Sequence, residues 1–453
     1  MIKELRIKGF KSWEDTGLLQ LAPLTGFFGT NSSGKTSILQ LFLMLKQTVE
    51  STDRKRVLHT GDNISIVDLG TFSDLVHARK TESPLEISIL WDLLNTLTIK
   101  NPEQKDKNLF EIANLKFDVE IKGESGTPIV GKFSYSFDNN IFGMEPGAKK
   151  GKKGAYDFVS GTYPQNRQQP GRAWPLPPPV KFYGFPDEVN AYFKNVGFLS
   201  EIVLELEGLF GRIKYLGPLR EYPKRIYTWA GEAPSDVGRK GELAVAAILA
   251  AREKGKYVSP GKHKRKRSLE ETIASWLKSM GIIDSFVVKP IGKNRKDYEV
   301  VVRKTEASPD VLITDVGFGL SQVLPVLVLC YYVPEGSVLL LEQPELHLHP
   351  CAQSWLADIF IDVVNNRKVQ LIVESHSEHF VRRLQRKIAE EAIAVDKTAL
   401  YFCSMKNSAS NSDKLDVDMF GDIKNWPADF FGDEMGDLTA KTEAAMQRQA
   451  KGS

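Results

Sequence analysis

Apolar and polar positions alternate with period two over "KELRIKGF" (3–10), as along a half-buried strand. "GLLQLAPLTGFFG" (17–29) reads as a second strand pair that runs into a glycine turn. Directly after it, "KTSILQLFLMLKQTVES" (35–51) carries apolar residues on every turn and lacks Pro and Gly, which predicts a buried helix. A short helix is expected at the end of "NISIVDLGTFSDLVHA" (63–78), and "SPLEISILWDLL" (83–94) and "NLKFDVEIKG" (114–123) predict strands of an antiparallel sheet. Over 138–180 the periodicity is lost. "GAKKGKKG" (147–154) is basic and glycine-rich and "WPLPPPV" (174–180) favours polyproline geometry, so a long loop or linker is expected.

Helical character returns in 186–211, and "IKYLGPLREYPKRIY" (213–227) reads as strand, turn and basic loop. "SLEETIASWLKSMG" (268–281) is a helix opened by a Ser268–Glu271 capping box and stopped by Gly281. "SFVVKP" and "DYEVVVRK" form a strand pair. Helix and strand then alternate through "VGFGLSQVLPVLVLCYYV", "SVLLLEQ", "CAQSWLADIFIDVVNN", "VQLIVESHS" and "EHFVRRLQRKIAEE", the order of an α/β layered core. "KTALYFCS" and "KLDVDMFG" predict a closing strand pair.

Composition narrows the class without naming a chemistry. The chain has 453 residues, 42% hydrophobic and 26% charged, enough for a sizeable core. A net charge of +3 is too mild to argue for nucleic acid by itself. Three scattered cysteines form no disulfide framework, the start has no secretory h-region, and a cytoplasmic setting is expected. The most apolar run, 323–333, falls short of the roughly 20 residues that cross a bilayer, so no membrane is expected as a partner.

"GTNSSGKT", Gly29 to Thr36, matches the phosphate-binding loop G-x-x-x-x-G-K-[ST], with an apolar strand before it and a long helix after it. Gly29, Asn31, Ser32, Ser33, Gly34, Lys35, Thr36 and Ser37 are the expected ATP-contacting residues. Backbone N–H groups and the helix N-terminus would face the phosphates, Lys35 would reach the β- and γ-phosphates, and the Thr36 hydroxyl would ligate Mg²⁺. Glu342 ends the apolar strand "VLLL" and is the second expected magnesium ligand. Nucleotide hydrolases usually carry a second acid next, to activate water; here it is Gln343, whose amide can orient water but cannot take its proton. His376 in "VESHSEH" follows a third apolar strand, where an imidazole can bond phosphate or order water. His347 and His349 have no cysteine or carboxylate set around them to complete a zinc site.

The order of phosphate loop, GLSQ, acid strand and SHS resembles the ABC-type ATPases of the SMC, RecF and OLD group, and "IKGFKSW" resembles the opening of SMC-like heads. "NSSGKTSILQ", "VDLGTFSDLVH", "YLGPLREYP", "EQPELHLHP" and "NWPADFFGDE" together resemble a prokaryotic ATPase family found in phage-defence operons, including the ATPase subunit of Septu-type systems. The resemblance implies an α/β, two-lobed ABC-type head with an inserted middle region. Its parts would be an N-terminal lobe over 1–100, the middle region over 101–304, a C-terminal lobe over 305–405 and a tail over 406–453. It further implies a homodimer around ATP and Mg²⁺, with Gly319, Ser321 and Gln322, or a register that starts earlier at Thr314, completing the partner's phosphate pocket. Glu345 to His349 would face the partner, the neighbourhood of the Q-loop would be 65–77, and His376 would be the switch histidine. A separately encoded effector, a nuclease, is the implied partner.

Basic stretches leave DNA or RNA contact open: "GKHKRKR" (261–267), "AKKGKKG" (148–154), and Arg220, Lys224 and Arg225 beside Tyr222 and Tyr227. A RecF-like DNA-binding repair ATPase is therefore the alternative reading. A self-contained nuclease is disfavoured, since only 77 residues follow His376; Glu374 and the pair Asp416/Asp418 only mimic the acids such a domain needs.

Overall fold

The computed structural model describes residues 1–101, 107–147, 155–169, 175–259, 265–293, 295–317, 319–427 and 434–451. The glycine-rich basic stretch 148–154, most of "GKHKRKR" and 428–433 of "NWPADFFGDE" lie outside the described residues.

Two sheets organise the chain. The larger is antiparallel and centres on Ile2–Phe10, Leu85–Lys100, Asn108–Glu124 and Thr127–Phe137, then continues through Asn140–Pro146 to Tyr156–Val159. These last two strands fall where a loop was expected. Phe142, Met144, Tyr156 and Phe158 alternate into the core, a pattern too short to stand out beside the Gly/Lys run between them. Pairing between Leu85–Lys100 and Asn108–Glu124 ends at Lys100 with Asn108, so this sheet holds residues on both sides of position 100.

The second sheet has the order Ile213–Leu216, Val338–Glu342, Gln370–Glu374, Leu24–Gly29, Thr398–Lys406, Ala409–Lys414. Every pair is parallel except the last, which is a hairpin. That hairpin turns on Asn407 and Ser408, both left-handed (φ 50° and 65°), the geometry of a tight two-residue turn. Its second strand is therefore "ASNSDK", earlier than the expected "KLDVDMFG". The expected pair in 17–29 is likewise split: Leu19–Gln20 joins the antiparallel sheet and Leu24–Gly29 the parallel one.

Side chains of the parallel strands alternate between two cores. Phe27, Leu340 and Ile372 face the helix Lys35–Glu50 and, behind it, the antiparallel sheet. Phe28, Leu339, Leu341, Leu371 and Val373 face a helical layer that includes Gly319–Tyr332, Pro350–Arg367 and Glu378–Ala389. The result is the layered α/β core that the alternation of strands and helices predicted. The capping box at Ser268 and the strand pair Ser285–Pro290 with Asp297–Arg303 also form as expected. Among the described residues no helix is long and apolar enough to cross a membrane.

Candidate nucleotide site

Because the central strands are parallel, four of them end on one edge, and the chemistry-bearing residues collect there. Leu24–Gly29 delivers the phosphate loop, Val338–Glu342 delivers Glu342, Gln370–Glu374 delivers Glu374 and Ile213–Leu216 delivers Tyr215. Glu342 and Glu374 are register partners on adjacent strands.

The loop is shaped by close approach. Gly29 (φ 126°) passes so near its neighbour strand that a Cβ would stand 1.9 Å from the Cys403 carbonyl oxygen. Gly34 (φ 89°) opens the helix, and a Cβ there would meet the hydroxyls of Ser410 and Ser12 at 2.3 and 2.8 Å. The Trp13 indole donates to the Gly34 carbonyl at 3.0 Å, which gives the "KSW" just after the opening strand a role as a brace behind the loop. Within the loop, the buried Ser33 hydroxyl donates to the Thr30 carbonyl at 2.8 Å. Lys35 is buried, and its ammonium donates to the Gly29 and Thr30 carbonyls at 3.1 and 2.7 Å. Asn31 and Ser32 are exposed, while Thr36 and Ser37 are half-buried on the first turn.

Three glutamates converge on this loop. Thr36 donates its hydroxyl to Glu374 Oε1 at 2.8 Å. Glu342 Oε2 accepts from the Tyr215 hydroxyl at 2.7 Å. Glu345 Oε1 accepts from the His376 main-chain N–H at 2.6 Å. Glu374 is 2% exposed, and its Oε2 is buried without a partner. Burial, reinforced by the negative charge of Glu342, pushes its carboxyl up to about 7. One hydroxyl donor contributes about 1 kcal/mol and desolvating a carboxylate costs several, so burial wins over the Thr36 bond. Burial likewise raises Glu342 and Glu345, and lowers Lys35 and His376. Hydroxyl and carboxylate oxygens, one of them an unpartnered Oε2, are the donor type a hard divalent cation takes.

Gln343 sits at the turn after the acid strand with φ 43°, and its main-chain N–H donates to the Glu374 carbonyl at 2.9 Å. His376 is half-buried and close enough to Lys35 to feel its charge. Gly319, Ser321 and Gln322 are not in this cluster. They start a helix on the opposite face of the parallel sheet from the phosphate-loop helix, and Ser321 and Gln322 are buried.

Several residues take other places than expected. Glu345 turns inward at 7% exposure, while His347 and His349 stay outside. His349 caps the helix Pro350–Arg367, its Nδ1 accepting from the Cys351 N–H. Arg220 leaves the basic cluster: it is 8% exposed, its Nε and Nη1 lack partners, and it feels Tyr215, Glu342 and Glu345. Arg225 pairs with Asp315 at 2.8 Å and Lys224 with Glu221 at 3.5 Å, so much of that surface charge is already balanced. Tyr215 and Arg220 were missed as site residues. Their only trace is the position of "YLGPLRE" at the end of an apolar strand, which marks the active edge once that strand is known to be parallel.

Comparison with known families bears directly on this loop and acid strand. The AAA ATPase domain family matches residues 1–141 and 240–381, more than half of the chain. The chain belongs to the AAA ATPase domain family. A second family, of unknown function (DUF3696), matches residues 393–440. No curated protein sequence matches the chain. Among solved structures, the SMC head domain from Thermotoga maritima is 11% identical, with 92% of this chain and 99% of that chain covered and a TM-score of 0.40. An SMC head bound to the C-terminal winged-helix domain of ScpA is 10% identical, covering 92% and 98%, with a TM-score of 0.45. An SMC head with an extended coiled coil, bound to the C-terminal domain of ScpA from Pyrococcus furiosus, is 11% identical, covering 91% and 96%, with a TM-score of 0.44. Likenesses at this level carry no residue roles or partners over to this AAA-family ATPase.

Proposed function

We propose that this ATPase is an ATP-gated assembly factor: it dimerises around ATP and Mg²⁺, hydrolyses slowly, and holds or releases a separately encoded nuclease in antiphage defence. One observation carries the nucleotide part. The parallel strand ends bring Lys35, Thr36, Glu342, Gln343 and His376 to a single edge, against a helix N-terminus that attracts phosphate. Lys35, now held by loop carbonyls, is placed to exchange them for phosphate oxygens. Thr36 and Glu342 would hold the magnesium ion, which when bound neutralises charge on the phosphates. Gln343 would orient the attacking water and His376 would contact the outermost phosphate; neither Gln343 nor a half-buried, depressed imidazole beside Lys35 makes a strong proton acceptor. Slow turnover follows.

The case for a dimer is topological. Gly319, Ser321 and Gln322 lie across the sheet from their own phosphate-loop helix, so only a second copy could bring this segment to the nucleotide. With Ser321 and Gln322 buried, the contact would run through Gly319 and the first-turn N–H groups. The defence role and the nuclease partner are supported by the family resemblance of "EQPELHLHP" and its companion motifs.

Size-exclusion chromatography with multi-angle light scattering, with ATP and with EDTA, tests the reading. An ATP-dependent dimer that captures the product of a neighbouring nuclease gene supports it. An unchanged monomer with DNA-stimulated turnover would replace it with the repair reading.

A further inference from the structure

The acid expected at position 343 is an amide, yet the edge of the sheet is not short of carboxylates. Glu374 stands one strand over, in register with Glu342. It already touches the hydroxyl of Thr36 through Oε1 at 2.8 Å. Its other oxygen, Oε2, is buried and has no partner. The main chain binds the two positions together as well, since the Gln343 N–H donates to the Glu374 carbonyl at 2.9 Å.

A purely structural role fits this poorly. Accepting one bond from a threonine needs an amide or a hydroxyl, and a buried carboxylate beside another carboxylate is a costly substitute. A carboxylate belongs in such a place when a cation joins the group. We infer that Glu374 is the second carboxylate of the magnesium-holding set, grouped with Thr36 and Glu342, so that the switch strand supplies the acid that position 343 lacks. This rests on the ATP-site reading above and adds to it a residue from a different strand. It also separates two jobs usually shared by neighbouring residues: Glu342 and Glu374 hold the metal, and Gln343 is left to position water.

The test measures metal coupling rather than turnover. Isothermal titration of the purified full-length chain with the non-hydrolysable analogue AMP-PNP is run in Mg²⁺ and in EDTA. The ratio of the two affinities is the readout. Glu374→Gln should shrink that ratio by roughly tenfold to a hundredfold while leaving affinity in EDTA unchanged or better. Glu374→Asp, which keeps the charge but draws it back by one methylene, should fall between. Metal-free melting temperature supplies the second readout. The glutamine removes buried like-charge repulsion, so it should melt higher than wild type and gain less from Mg²⁺ with AMP-PNP. An unchanged Mg²⁺/EDTA ratio in both variants overturns the inference, as does a lower metal-free melting temperature with both affinities reduced in parallel. If Glu374→Gln does not fold, the aspartate variant alone decides. A wild-type chain that binds no AMP-PNP in either buffer brings down the ATP-site reading itself, which these variants leave distinguishable.

Discussion

Trp13 and Gly34 are joined by a 3.0 Å hydrogen bond from the indole to the carbonyl at the start of the phosphate-loop helix. Trp13 is fully buried, and from behind the loop its bond fixes the half-buried Gly34. Trp13→Phe keeps most of the apolar area and deletes only the donor. It should cost about 1–2 kcal/mol of stability and weaken nucleotide binding several-fold. Chemical denaturation and AMP-PNP titration would check this; no change in either would mean that the brace is incidental.

Lys35→Ala should abolish ATP binding, because the ammonium is the one buried cation set within the loop itself. Direct binding by fluorescence of a labelled ATP is the measurement. Retained affinity would sink the phosphate-loop assignment.

Gln343→Glu should raise the hydrolysis rate if position 343 faces the attacking water. A positioned general base contributes roughly 10²–10⁴-fold, which sets the ceiling for the gain. Steady-state phosphate release is the assay. A flat result would place the base elsewhere or make dimer geometry limiting.

Glu374 links the site to pH. Its folded carboxyl lies at about 7 against an ordinary 4.5. Between those values the folded chain keeps a proton that the unfolded chain has released. Stability from this group is therefore full below about 4.5 and is lost as pH rises through about 7, by roughly 3 kcal/mol in total. In EDTA, the melting-temperature gap between Glu374→Gln and wild type should widen over that window and then level off. A gap independent of pH would show that the carboxyl is not raised.

Gly29→Ala should destabilise by more than about 4 kcal/mol, since its Cβ would overlap a main-chain carbonyl of the neighbouring strand rather than a flexible side-chain end. Soluble yield and thermal melting would report it. A variant that folds and melts like wild type would contradict the packing of strand Leu24–Gly29 on Thr398–Lys406.

Much of this protein is written in local order. Period-two and helical patterning placed the strand Ile2–Phe10, the helix Lys35–Glu50 and the alternating elements after 315, because each buries one face and the spacing of apolar residues records which. Lys35, Thr36, Glu342, Gln343 and His376 were also legible, since each follows an apolar strand within a residue or two of its end or within a contiguous motif. Where the reading failed, the deciding contact was remote. The two strands in 138–180 are held by core partners on neighbouring strands rather than by their own composition. The register of the C-terminal hairpin is set by two left-handed turn residues.

What the sequence by itself determined is the set of reactive groups and the elements that carry them. What only the tertiary structure decided is which of them meet. Thr36 and Glu374 are 338 residues apart, and Tyr215 and Glu342 are 127 apart. They converge because parallel pairing aligns the ends of strands distant in the chain, and no local pattern encodes strand order. The same pairing brought Arg220 in from an apparent surface cluster and turned Glu374, at the end of strand Gln370–Glu374, into the residue facing Thr36.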